Sequence, residues 1–155
     1  MSQIVAVDLS AKVEQWNKNS VIAFSNGIQG STFVSKKVKK ASKDLLKIYY
    51  PHHGPAFYTF QLFAVFIYLT IQPYLQQIKK LHIDQDYSGK KTEGFIKDFL
   101  LNFLRRDIPS LRGNFIQFRK VGGSNADRLA RDIYQDKKKA DRSITFKQVQ
   151  ALWSK

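Results

Sequence analysis

The chain has 155 residues, 43% of them hydrophobic and 14% aromatic, enough for one ordinary domain with a single core and too apolar for wholesale disorder. It carries 26 Lys and Arg against 12 Asp and Glu, a formal net charge of +14, and no cysteine, which excludes disulfides and thiolate metal sites. A surface of one sign so strong concentrates polyanions, and nucleic acid is the expected partner.

The elements follow in order. Ile4 to Val13 has strand composition, Asn17-Lys18-Asn19 reads as a turn, and Ser20 to Ser25 is a second strand. Asn26-Gly27 is a hairpin signal before a third strand, Ile28 to Val34. From Ser35 the period changes. Val38, Ala41, Leu45 and Ile48 recur at helical spacing with the lysines on the opposite face, and the helix should stop before Pro51. Pro-His-His-Gly-Pro, 51–55, is a rigid loop, and Ala56 to Gln72 carries no charge. That stretch approaches the length of a membrane span. Thr59, Gln61, Thr70 and Gln72 dilute it and Pro73 cuts it, so a buried core helix and no membrane contact are expected.

A strand is expected over Lys80 to Asp86, then a loop, then a helix from an N-cap at Thr92 to Arg106, with Phe95, Phe99 and Phe103 at four-residue spacing. Asn114 to Val121 reads as a further strand. Gly122-Gly123-Ser124-Asn125 leads into a helix from about Ala126, and Thr145 to Trp153 reads as a short helix with a Thr-x-x-Gln capping box. The expected organisation is one domain over 1–155 with a short helical extension at about 143–155. Met1-Ser2-Gln3-Ile4 has neither the basic region nor the apolar run of a secretory signal, and the expected location is the cytoplasm.

Against this basic background the acids stand out. Asp8 lies inside the apolar run Ile4-Val5-Ala6-Val7-Asp8-Leu9, Asp84 and Asp86 close Leu81-His82-Ile83-Asp84-Gln85-Asp86, and Asp127 lies in Ser124-Asn125-Ala126-Asp127-Arg128-Leu129-Ala130. A carboxylate at an apolar strand end is costly to bury without a cation or hydrogen bonds, so the pattern suggests a metal site on a phosphate-binding surface. Each residue also has an ordinary structural reading: Asp8 as a turn cap, Asp84 and Asp86 as a polar strand end, and Asp127 as a first-turn acid favoured by the helix dipole. The histidines offer less. His52 and His53 are adjacent and cannot readily turn to one ion, His82 stands alone, and no zinc site is expected. Gly122-Gly123-Ser124 lacks the Gly-Lys-Ser/Thr ending of a P-loop.

Three strands, then helices alternating with strands, with acids in this order, resemble the ribonuclease H-like superfamily. Its domains build a five-stranded mixed sheet, the first three strands antiparallel, flanked by helices. The resemblance implies an α/β fold of that kind and a metal-dependent nuclease acting on RNA, RNA/DNA hybrid or structured DNA, with two Mg²⁺ or Mn²⁺ ions. Residue by residue, it matches Asp8 to the first-strand carboxylate, Asp84 or its neighbour Asp86 to the fourth-strand acid, and Asp127 to the last acid. The family's glutamate early in the first helix has no counterpart, since Asp44 is the only acid on that helix and lies late. A non-catalytic nucleic-acid-binding domain of the same fold is the alternative. For either, Lys36, Lys37 and Lys40 on the first helix, with Arg119 and Lys120 beside the acids, are the expected backbone-tracking residues.

Overall fold

The alternation of β1 (Gln3–Ser10) sets the layers: Val5, Val7 and Leu9 are buried toward one face, and Ala6, Asp8 and Ser10 point to the other. The computed structural model describes residues 3–85, 87, 89–121 and 124–154. β2 (Ser20–Ser25) and β3 (Gly30–Val34) continue from β1 as an antiparallel meander. β4 (Ile78–Asp84) pairs with β1 in parallel, β5 (Ile116–Arg119) pairs with β4 in parallel, and β6 (Arg142–Ser143) pairs with β3 in parallel. The result is a six-stranded mixed sheet in the order β5-β4-β1-β2-β3-β6.

Helices cover both faces. Val5, Val7, Ile22, Phe24, Leu81 and Ile83 form the main core with α2 (Pro55–Ile71), which has Pro55 at its first position and no charged residue. Every residue from Gln61 to Ile71 is buried, enclosed by the sheet, α1 (Lys36–Tyr49) and α3 (Lys90–Asp107). By length and composition the stretch Pro55–Gln77 could cross a membrane, yet 72% of its apolar window is buried inside the fold. Thr70 shares a 2.6 Å hydroxyl contact with Thr32, and Arg142 donates to the Thr70 carbonyl at 2.9 Å, satisfying a terminal helix carbonyl. On the other face, α4 (Asn125–Tyr134) packs Leu129, Ala130 and Ile133 on Val21 and Ala23.

Several boundaries differ from the sequence reading, each for a local reason. The sheet has six strands, not five. β6 is two residues long and owes its place to Asp141, whose carboxylate accepts from the Ser31 amide at 3.1 Å while its own amide donates to the Ser31 hydroxyl at 3.1 Å. β1 stops at Ser10 because Ala11 turns left-handed at φ 63°. β3 begins at Gly30, where a Cβ would come within 2.4 Å of the Phe24 ring. α3 is capped by Gly89, at φ 106°, rather than by Thr92. A single 3₁₀ turn over Gly113–Phe115 shortens the expected fifth strand to Ile116–Arg119.

The largest correction concerns α1. Its buried residues are Lys39, Ser42 and Leu46, whereas Ile48 is 76% exposed, so the lysines do not all occupy the solvent face. At the C-terminus, α5 (Phe146–Ala151) carries the capping box between Thr145 and Gln148 and packs against α1. Beyond it Trp153 donates to the Tyr50 hydroxyl at 2.8 Å.

Candidate carboxylate site and basic rim

Asp8 lies opposite Ala23 in the antiparallel β1–β2 pair, and Ala23 packs under α4, so Asp8 faces the α4 side of the sheet. Asp8 is 5% exposed. In the parallel β1–β4 pair Val7 is level with Ile83, which puts Asp84 one step on, beside Asp8 and on the same face. Adjacent strands run about 4.8 Å apart, so these two carboxylates hang from neighbouring backbone positions. Arg119 is level with Asp84 on β5 and extends the row. The next row down carries Gln117, His82 and Ala6.

Each acid has a local tether. The Leu9 amide donates to Asp8 Oδ1 at 2.8 Å, and the Val121 amide donates to Asp84 Oδ1 at 2.6 Å, which ties the chain after β5 to the end of β4. α4 begins over Ala6 and Ser25 and runs across Ala23 and Val21, so its first turn, which carries Asp127, sits on the carboxylate face. Ser124 is the N-cap of α4 and accepts from the Asp127 amide at 3.2 Å. The Asp127 carboxylate lies 3.6 Å from the Arg131 guanidinium. Asp86 lies outside the described residues.

The local charge is mixed. Burial, then Arg119, then Lys80 push the His82 imidazole below its ordinary range and favour its neutral form. Among the described residues no group of three or more His, Asp or Glu side chains is assembled as a metal-binding cluster. Mg²⁺ is commonly held by one or two carboxylates, waters and substrate phosphate.

The expected nucleic-acid residues gather at the same end of the sheet. Lys36, Lys37 and Lys40 are exposed on the first turns of α1, which starts where β3 ends, level with Ser20 of β2 and hence close to the end of β1. Arg119 and Lys120 are exposed where β5 ends. Along the free side of β5, an open groove of about 530 Å³ is lined by Lys90, Glu93, Lys97, Gln117 and Arg119. Lys90 and Lys97 were not singled out by the sequence, because only the pairing of β5 with β4 brings α3 beside Arg119.

Lys39 also escaped the sequence reading. Its ammonium donates to the carbonyls of Lys12, Gln15 and Lys18 at 3.2, 3.0 and 2.9 Å and to the Ser20 hydroxyl at 2.8 Å. Burial lowers its pKa to about 8 despite the raising influence of Glu14. One internal cation thus braces the β1–β2 loop just beyond Asp8. Nothing in a run of lysines marks which one turns inward; only the positions of Ser42 and Leu46, three and seven residues later, share its side of the helix.

Comparison with protein-family models, curated proteins and solved structures finds no match to the chain.

Proposed function

We propose that this chain is a divalent-ion-dependent nuclease domain of ribonuclease H-like type, hydrolysing phosphodiester bonds in RNA, RNA/DNA hybrid or structured DNA. The observation that supports it best is the register that sets Asp8 and Asp84 side by side on the face where α4 carries Asp127. The antiparallel β1–β2–β3 meander followed by strands alternating with helices is consistent with that family's plan.

In this reading Asp8 and Asp84 hold Mg²⁺ or Mn²⁺ by their carboxylate oxygens, and Asp127 approaches from the helix side. The bound ions supply activation of the attacking water and stabilisation of the leaving oxygen. The protein's own part is positional. Lys36, Lys37, Lys40, Arg119 and Lys120 draw in and align the phosphate backbone. The Val121 amide fixes the rotamer of Asp84.

A second reading, a nucleic-acid-binding domain without catalysis, is favoured by one specific feature. Asp127 is engaged by Arg131, and the only acid on α1, Asp44, is exposed late on that helix, so the acid set is short of the family's four. Labelled RNA, hybrid and branched DNA incubated with Mg²⁺ or Mn²⁺ separate the two. Cleavage by wild type that is lost in Asp8→Asn and Asp127→Asn supports the enzyme. Equal cleavage by all three proteins marks a contaminant, and tight binding without cleavage supports the second reading.

A further inference from the structure

On the sheet's other side, away from the carboxylates, the first turns of α2 and the first half of α3 enclose a groove of about 390 Å³ lined by His53, Ala56, Phe57, Phe60, Phe95 and Phe99. Its rings are set out as flat faces. His53 stacks on Phe57 with centroids 3.9 Å apart and planes 16° apart, and Phe95 is near-parallel to Phe99 at 6.4 Å and 16°. Phe95 is 46% exposed. Next to it, sharing His53, is a recess of about 260 Å³ whose lining includes Trp16, Lys43 and Lys47. There the Lys43 ammonium sits 4.3 Å over the Trp16 ring.

We propose that this groove binds unpaired bases of a single-stranded nucleic acid. Exposed rings such as Phe95 and His53 beside ammonium groups are the combination that single-strand binders use: bases stack on the rings while cations follow the phosphates. The charge argues for this occupant. An apolar peptide would gain nothing from Lys43 and Lys47 at the rim, whereas a polyanion is drawn both to that rim and to a chain of net charge +14.

The location links the groove to the carboxylates. Tyr87 lies in the loop that follows Asp84, and its ring packs 5.6 Å from Phe60, a wall of the groove. The Tyr87 hydroxyl accepts from the Val13 amide at 3.0 Å and donates to Glu14 at 2.9 Å, so Tyr87 joins the β1–β2 loop to the groove's wall. The loop after Asp84 thus touches the groove's wall through Tyr87.

The inference rests on the nucleic-acid reading above, and the test keeps the two apart. Affinity is measured at low salt by fluorescence anisotropy for three probes: a short oligothymidylate, an abasic oligomer of equal length, and a duplex. Proteins are wild type, Phe95→Ala and Lys43→Ala, each checked for folding by circular dichroism. The exposed position of Phe95 makes its truncation a mild change to the core. Phe95→Ala should weaken oligothymidylate binding by roughly 5- to 150-fold while leaving the abasic oligomer nearly unchanged. Lys43→Ala should weaken both single strands alike. If wild type binds the duplex and the abasic oligomer as tightly as oligothymidylate, and Phe95→Ala changes none of them, the groove proposal fails while the nucleic-acid reading stands. Binding to none of the three overturns both. Self-association of wild type that Phe95→Asp abolishes would reassign the groove to a second copy of the chain.

Discussion

The two faces of the sheet are built on different terms. Under α2 the sheet meets a helix without a single charge, and the contact is a continuous block of Phe, Leu, Ile and Val. Under α4 the contact shrinks to Val21, Ala23, Leu129, Ala130 and Ile133, and polar positions such as Asp8, His82, Asp84 and Gln117 share that face. One face therefore carries most of the folding energy, and the other can hold charge without forfeiting the core. This division allows two strand-end acids in a chain where acids are scarce.

Truncations on each face test this directly. Phe66→Ala, in the middle of α2 and fully buried, should cost about 4 kcal/mol, while Leu129→Ala on α4, which is 8% exposed and belongs to the small cluster, should cost about 2 kcal/mol. Urea denaturation of the two variants measures the gap. Equal losses would break the asymmetry.

Lys39 sharpens the comparison, since it is a charge on the side of the dense core. Lys39→Met removes the ammonium's contacts with three carbonyls and the Ser20 hydroxyl and should cost about 3 kcal/mol. Its pH dependence has a definite sign. The native ammonium loses its proton near pH 8 and the unfolded one near 10.5, so in between the unfolded chain binds more protons. Stability from this group is therefore lowest below pH 8 and rises toward pH 10. Tyr68 acts oppositely above that window, because burial and its hydrogen bond to Asp107 push its hydroxyl upward. The stability of wild type relative to Lys39→Met should increase from pH 8 to pH 10; a flat or falling difference would refute the caged ammonium.

A smaller effect is expected one turn along. The Ser42 hydroxyl is buried with no hydrogen-bond partner among the described residues. Ser42→Ala should leave stability unchanged or raise it by up to about 1 kcal/mol in the same denaturation series.

What could be read in the sequence follows the same divide. β2, the uncharged helix and the Thr145–Gln148 capping box were legible because strand composition, the absence of charge and a spaced pair of cap residues are local signals. β6 was not, because two polar residues carry no period and their pairing depends on Asp141 meeting Ser31 across the chain. Lys39 was hidden in a lysine run, since its acceptors come from a loop more than twenty residues earlier in the chain. At the candidate site, the sequence named the acids and their order but not their neighbours. That His82 and Gln117 form the row beside them, and that Arg119 is level with Asp84, follows only from strand register.

In the proposed nuclease, Asp8 and Asp84 together bind a divalent cation on the α4 face. A Mn²⁺ titration followed by electron paramagnetic resonance tests it most directly, on wild type and on the Asp8→Asn and Asp84→Asn variants, with each protein's fold checked by circular dichroism. The expected result is saturable Mn²⁺ binding by wild type that competes with Mg²⁺ and is weakened at least about tenfold in either variant, in line with the loss of one of two carboxylate ligands. Identical Mn²⁺ binding by all three folded proteins, or none by wild type, would contradict it.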